Sequence, residues 1–218
     1  MAGDQPRGGA VHPSGKFLYV ANQFSGNVSS FSIDASTGAL TPIATIAAGT
    51  AAHAVTVDPT GRLAYVACAG SVGIADGTLA MFSINPTTGA LTALAAAAPG
   101  GWSDTFDVAI HPNGRFLYVA DQLLQSVTQY LINTNPGNAT EDGALQFLTT
   151  MNVAQPVRYI RLNAAGSVLY AGSESDASVP AQVILSYGVD ATSGALTLID
   201  TDATGARTRG LGSRDRVE

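Results

Sequence analysis

Basic, imidazole and carboxylate side chains recur at two positions of a repeated unit. Five residues before the first residue of each of four similar turns stand Arg7, His53, Phe106 and Arg158. Four residues after each of four recurrent tyrosines stand Gln23, Ala69, Gln122 and Glu174. Most members of both sets are polar, at positions that a purely structural repeat leaves unspecified. If the first set marks the starts of inner strands, Arg7, His53 and Arg158 approach a common channel mouth. The result is a locally positive site on an otherwise acidic chain, suited to an anionic small-molecule ligand.

The elements that must position these residues come from the repeat itself. His12-Pro13-Ser14-Gly15, Asp58-Pro59-Thr60-Gly61, His111-Pro112-Asn113-Gly114 and Asn163-Ala164-Ala165-Gly166 each precede a segment ending in Tyr-Val or Tyr-Ala, with tyrosines at 19, 65, 118 and 170. A second signature follows each: Thr37-Gly38-Ala39-Leu40, Thr88-Gly89-Ala90-Leu91, Asp142-Gly143-Ala144-Leu145 and Ser193-Gly194-Ala195-Leu196. Pro at the second position presets φ and Gly at the fourth suits a type I turn. Between turns run short β-branched or aromatic segments such as Phe17 to Ala21, Val28 to Ile33, Leu79 to Ile84 and Leu40 to Ala44, which is the strand pattern. Each unit therefore reads as four strands, and a four-stranded repeat of this length is a propeller blade. The expected fold is all-β, with blades at about 7–50, 51–99, 100–151 and 152–204 forming a partial, open propeller. The tyrosines are expected to pack between blades, and His12 and His111 to fix their turns.

Composition bounds the partners. The chain has 218 residues, 46% hydrophobic and 12% charged, with 24 Gly and a net charge of −6. Arg207, Arg209, Arg214 and Arg216 lie in the last twelve positions, so the body of the chain carries the acidity. Nucleic acid is an unfavourable partner for such a body, because phosphate binding needs clustered Lys and Arg. No apolar run reaches the ~20 residues of a membrane span. The amino terminus lacks the apolar segment of a secretory signal, which gives a cytoplasmic expectation. The single Cys68 excludes an internal disulfide framework and reads as a small buried hydrophobe. Asp104, Asp107 and Glu141-Asp142 offer oxygen ligands without calcium-loop spacing, so no metal is expected. Asn27-Val28-Ser29 and Asn138-Ala139-Thr140 fit the glycosylation pattern without further support. Trp102 is read as a core cover in a connecting loop, and 205–218 as a disordered tail.

The turn signature joined to Phe-Leu-Tyr-Val, together with Thr-Gly-Ala-Leu, resembles the seven-bladed β-propeller lactonases typified by 6-phosphogluconolactonase, from about Ala10 to about Thr204. That family carries Gly-Pro-Arg-His on one inner strand and Asn-Glu after the next strand. Here Gln155-Pro156-Val157-Arg158-Tyr159 and Ser173-Glu174 align with them, so Arg158 and Glu174 match while Tyr159 replaces the histidine and Ser173 the asparagine. His53-Ala54-Val55 matches a further family histidine segment but lies two blades away, and the adjacent blade has Phe106. The resemblance implies a hydrolase that opens a small lactone without an organic cofactor. Glu174 would take a proton from water, and Arg158 or His53 would stabilise the oxyanion or anchor an anionic group. Arg7, Gln23, Gln122 and Tyr159 would line the substrate site. A phosphorylated sugar lactone and an acyl-homoserine lactone are both compatible substrates. The rival readings are a non-catalytic binding propeller, and a blade-internal ion pair between Arg158 and Glu174 with His53 capping a turn. Four blades also leave two apolar end faces, so either self-association through the end blades or poor stability in isolation is expected, with closure into a compact four-bladed ring the less favoured outcome.

Overall fold

Each turn glycine is held where L side chains are strained. Gly15, Gly61, Gly114 and Gly166 have φ of 72°, 74°, 73° and 72°, and in every case the glycine N–H donates to the carbonyl of the turn's first residue at 2.8–2.9 Å. Asp34, Asn85 and Asp190 order the second set of turns. Their Oδ1 atoms accept from the backbone N–H groups two and three residues on, an Asx arrangement that stabilises the reversal before each Gly-Ala-Leu.

These turns join sixteen strands. The computed structural model describes residues 3–71, 74, 76–94, 104–134, 142–153, 155–173 and 182–204. Blade 1 contains β1 (Pro6–Val11), β2 (Phe17–Asn22), β3 (Asn27–Ile33) and β4 (Leu40–Ala47). Blade 2 contains β5 (Ala52–Val57), β6 (Leu63–Cys68), β7 (Thr78–Ile84) and β8 (Leu91–Ala93). Blade 3 contains β9 (Thr105–Ile110), β10 (Phe116–Asp121), β11 (Ser126–Ile132) and β12 (Leu145–Asn152). Blade 4 contains β13 (Tyr159–Leu162), β14 (Val168–Gly172), β15 (Gln182–Val189) and β16 (Leu196–Thr204). Each blade is a four-stranded antiparallel meander in sequence order, and the described residues contain no helix. The all-β, four-blade reading of the sequence is therefore correct. The Arg-rich terminus and Trp102 lie outside the described residues.

Blades meet through three apolar cores. One joins Phe17, Tyr19 and Val28 of blade 1 to Val66 and Phe82 of blade 2. A second joins Leu63, Tyr65 and Met81 to Leu117 and Tyr130, and a third joins Phe116 and Tyr118 to Ile160, Leu169 and Tyr187. The inner strands follow the same order, with β1 against β5, β5 against β9 and β9 against β13. The repeat tyrosines of blades 1 to 3 also donate a hydrogen bond into the next blade's Gly-Ala-Leu turn: Tyr19 to the Gly89 carbonyl, Tyr65 to Gly143 and Tyr118 to Gly194, at 3.0, 3.0 and 2.9 Å. The expectation of inter-blade tyrosines holds for these three.

His12 ties its own turn to the next blade. Its Nε2 donates to the Gly61 carbonyl at 2.8 Å, which leaves Nδ1 to accept from the Ser14 N–H at 3.1 Å. Blade 2 has Asp58 at this place. Its carboxylate accepts from the N–H groups of Arg62 and Leu63 at 2.7 Å each, and the link to blade 3 is instead an ion pair between Arg62 and Asp142 at 2.6 Å.

Candidate functional site

Three of the four inner strands carry a β-bulge at their start, and in two of them the extra residue is a site candidate. The ladder skips Arg7 between Pro6 and Gly8, His53 between Ala52 and Ala54, and Phe106 between Thr105 and Asp107. A bulge re-aims its side chain away from the strand's alternation. This takes Arg7, His53 and Phe106 out of the alternation at the start of their inner strands. Arg158 immediately precedes β13, its N–H donating to the Gly172 carbonyl at 3.0 Å. The second set reaches the same end, because the N–H groups of Gln23, Ala69 and Gln122 donate to the carbonyls of Gln5, Ala51 and Asp104 at 2.9–3.0 Å.

The two sets enclose a cavity of about 350 Å³ whose lining includes Gln23, His53, Asp104, Phe106, Gln122 and Arg158. All four blades contribute to it. His53 is buried, and neither ring nitrogen has a hydrogen-bond partner. Its ring stacks edge-on against Phe106 with centroids 4.2 Å apart. Burial, reinforced by the charges of Arg7 and Arg158, pushes the imidazole pKa down to about 4, so the ring is neutral at pH 7. Arg158 lies over the Phe106 ring with its guanidinium carbon 4.8 Å from the centroid, and its Nε donates to Gln122 Oε1 at 2.7 Å. Arg7 makes the same bond in blade 1, from Nε to Gln23 Oε1 at 2.7 Å. It is exposed and meets the cavity through that glutamine.

Asp104 adds a carboxyl to the cavity wall that sequence reading had considered only as a calcium ligand. Burial, aided by the nearby charge of Asp121 and opposed by Arg158, raises its pKa. It stands seven residues before the turn's first residue, where the other blades have Gln5, Ala51 and Pro156.

Other candidates fall elsewhere. Tyr159 opens β13 opposite Gly172 and is not among the described residues lining the cavity. His53 caps no turn; it sits in β5. Glu174, and with it any Arg158–Glu174 pair, lies outside the described residues. Asp107 is engaged in a buried cluster, accepting from the Ile160 N–H at 3.0 Å and Arg161 Nη1 at 2.5 Å. Cys68 is fully buried, and burial pushes its thiol up to about 12. Among the described residues, no group of three His, Cys, Asp or Glu side chains could hold a metal.

Antiparallel four-stranded blades, joined through apolar cores with their inner strands side by side, define a β-propeller architecture. Within that class, the seven-bladed β-propeller lactonase family matches residues 1–53, the first blade and the start of the second. No curated protein matches the chain by sequence. A candidate 6-phosphogluconolactonase from Bacteroides uniformis superimposes with a TM-score of 0.72 at 17% identity, over 91% of this chain and 55% of its own. The periplasmic gluconolactonase of Pseudomonas aeruginosa gives 0.70 at 19% identity, over 93% and 58%. A candidate 6-phosphogluconolactonase from Bacteroides fragilis gives 0.65 at 24% identity, over 88% and 55%. The chain thus spans a little over half the length of these structures, and the likeness to them is one of fold.

Proposed function

We propose that the protein is a lactonase-type hydrolase that opens a small anionic lactone in the cavity between Gln23, His53 and Arg158. One observation carries the reading: a hollow of small-molecule size is lined by an imidazole, an arginine, two glutamines and a carboxyl drawn from all four blades. The volume falls within the range of ligand sites, roughly 300 to 1,000 Å³. The family match over residues 1–53 and the lactonase-named structural neighbours support the choice of substrate class.

In this mechanism the lactone carbonyl oxygen accepts from the Arg158 guanidinium, which stabilises the oxyanion formed when water adds to the carbonyl carbon. Glu174 takes the water proton. Asp104, whose raised pKa brings it closer to neutrality, is the carboxyl positioned to assist it. Collapse of the tetrahedral intermediate breaks the ring C–O bond. The departing oxygen takes up the proton, and the product is a hydroxy carboxylate with release of one proton to solvent. His53, neutral and with a pKa too low for an effective base at pH 7, forms part of the wall against which the substrate packs. Arg7 holds an anionic substituent at the outer edge. Two arginines around one opening favour a phosphorylated sugar lactone over an uncharged acyl-homoserine lactone.

The test is proton release during ring opening of 6-phosphogluconolactone, gluconolactone and acyl-homoserine lactones, compared with Glu174→Gln, Asp104→Asn and Arg158→Ala. Faster opening of the phosphorylated lactone than by any of the three variants supports the reading. If the native chain opens none of them faster than Glu174→Gln, the protein is a binding propeller instead.

A further inference from the structure

The Asp104 carboxyl reaches the cavity wall on a segment that a second, buried carboxylate holds in place. Asp121 ends β10 and is 0% exposed. Its Oδ2 accepts from the Asp104 N–H at 3.2 Å, and its Oδ1 accepts from the Leu124 N–H at 2.9 Å. The Gln122 N–H donates in turn to the Asp104 carbonyl at 3.0 Å. Two consecutive residues thus hold Asp104 at both of its backbone groups, and Asp104, Gln122 and Leu123 all line the cavity. The ladder between β9 and β10 shifts its register at Asp121, so the bulge and these side-chain bonds lie together at one strand end.

Blades 1, 2 and 4 place Asn22, Cys68 and Ser173 three residues after the repeat tyrosine, where blade 3 has Asp121. All four side chains are buried. Asn22 donates to Asn27 Oδ1 and Ser29 Oγ on β3, and the Ser173 hydroxyl accepts from the Val183 N–H on β15. Both contacts tie the second strand of a blade to its third, and neither employs a charge. Burying a carboxylate is far more costly than burying an amide or a hydroxyl. Blade 3 alone carries one at this position, and it is also the blade that sets a carboxyl, Asp104, seven residues before its turn. The two departures from the repeat are hydrogen-bonded to each other.

We propose that Asp121 is a positioning residue for Asp104: it fixes the backbone that carries the cavity carboxyl and sets a negative charge beside it. The inference rests on the reading of Asp104 as the carboxyl that assists proton removal from water. Burial first, and then the charge of Asp121, raise the Asp104 pKa, with Arg158 opposing them. A carboxylate so placed holds a proton more firmly, which suits a group that must take one up during the reaction. Three further ionisable groups among the described residues stand about the cavity. These are His53, neutral at pH 7, Arg7, held by Gln23, and Asp76, bound to Ser71 of the wall.

Two measurements on the full chain separate this role from mere support of the loop. Asp121→Asn keeps the shape of the side chain, as blade 1 does with Asn22, and removes the charge. Carboxyl carbon NMR follows the titration of Asp104, whose signal is assigned by its loss in Asp104→Asn. The Asp104 midpoint is expected at lower pH in Asp121→Asn than in the native chain. In the opening of 6-phosphogluconolactone, the acidic limb of the kcat profile should move to lower pH with it. The plateau should fall by less than the roughly hundredfold that loss of a whole general base costs, with KM little changed. Circular dichroism checks folding, and Asp121→Ser, which copies Ser173 of blade 4, takes the place of Asp121→Asn should the amide disturb it. An Asp104 midpoint that stays in place or moves upward on removal of the Asp121 charge overturns the proposal, even in a chain that opens the lactone. A midpoint that falls in a chain opening no lactone upholds the link between the two carboxyls and refutes the reaction instead.

Discussion

His53 of blade 2 and Phe106 of blade 3 hold their rings 4.2 Å apart and inclined at 62°. The surroundings are cationic, because Phe106 also carries the Arg158 guanidinium. A proton on His53 would sit in an enclosed site beside Arg158 and Arg7 with no partner to accept its hydrogen bonds. Neutrality of this imidazole is thus a consequence of packing between blades.

Stability should therefore depend on pH through His53. Its pKa is about 4 in the folded protein against 6.5 for a free imidazole, so between these values the unfolded chain binds more protons. The contribution is intact above pH 6.5 and is lost progressively as pH falls toward 4. Asp104, with its raised carboxyl pKa, acts in the opposite sense, so the comparison must be with a variant. Thermal unfolding at pH 7 and pH 5 should show a larger loss of Tm for the native chain than for His53→Gln. Equal losses would mean that His53 titrates normally.

The glycines of equivalent turns should differ in tolerance to alanine. Gly61 and Gly114 share φ near +73°, so either substitution places an L side chain in the left-handed region at a cost of about 1–2 kcal/mol. At Gly61 the new Cβ would also fall 2.4 Å from His12 Nε2, whereas at Gly114 the nearest atom is Pro59 Cδ at 3.8 Å. Gly61→Ala should therefore lose about 1–3 kcal/mol more than Gly114→Ala from overpacking, read from denaturant midpoints. Equal losses would show that the His12 contact yields at no cost.

The repeat was legible because its glycines have a local reason to exist: positive φ at a turn depends on no distant residue. The tyrosines were legible as packing groups. Their acceptors, glycines 70 to 78 residues away, were not, because the pairing depends on how one blade sits against the next. The same limit applied to the site. Aligning the repeats found Arg7, His53, Phe106 and Arg158 at one position, but the bulges that turn three of them are irregularities of strand register that periodicity averages away. Asp104 was missed as a cavity residue because its column contains no second acid, and Tyr159, matched by motif, occupies a ladder position away from the described cavity wall.

Arg161 and Asp107 form a second link between blades 3 and 4. Asp107 is 3% exposed and meets Arg161 Nη1 at 2.5 Å. Removing the arginine leaves a buried carboxylate supported by the Ile160 and Val108 N–H groups. Loss of one partner of a buried pair costs roughly 3–5 kcal/mol, and partial exposure of this arginine places Arg161→Met at about 2–3 kcal/mol. The double variant Arg161→Met/Asp107→Asn should recover part of that loss at pH 7, because the charge left behind is removed. No recovery in urea unfolding would show that the arginine acts by packing alone.

Arg158 and Arg7 make the same Nε-to-glutamine bond but stand at different depths, and the proposed reaction gives them different kinetic signatures. Arg158 is stacked on Phe106 in the cavity wall, where the proposed reaction sets its guanidinium against the carbonyl oxygen. Lysine supplies the charge without the planar fork, the stacking or the bond to Gln122. Arg158→Lys should therefore lower kcat for phosphorylated and unphosphorylated lactones alike, by about ten- to a hundredfold, below the cost of deleting a full oxyanion donor. Arg7 is exposed and touches the cavity only through Gln23, so Arg7→Ala should raise KM for a phosphorylated lactone with kcat nearly unchanged, and leave an unphosphorylated one unaffected. Steady-state kinetics on both substrates separates the two roles. A kcat loss in Arg7→Ala, or a pure KM effect in Arg158→Lys, would reverse the orientation of the substrate assigned above.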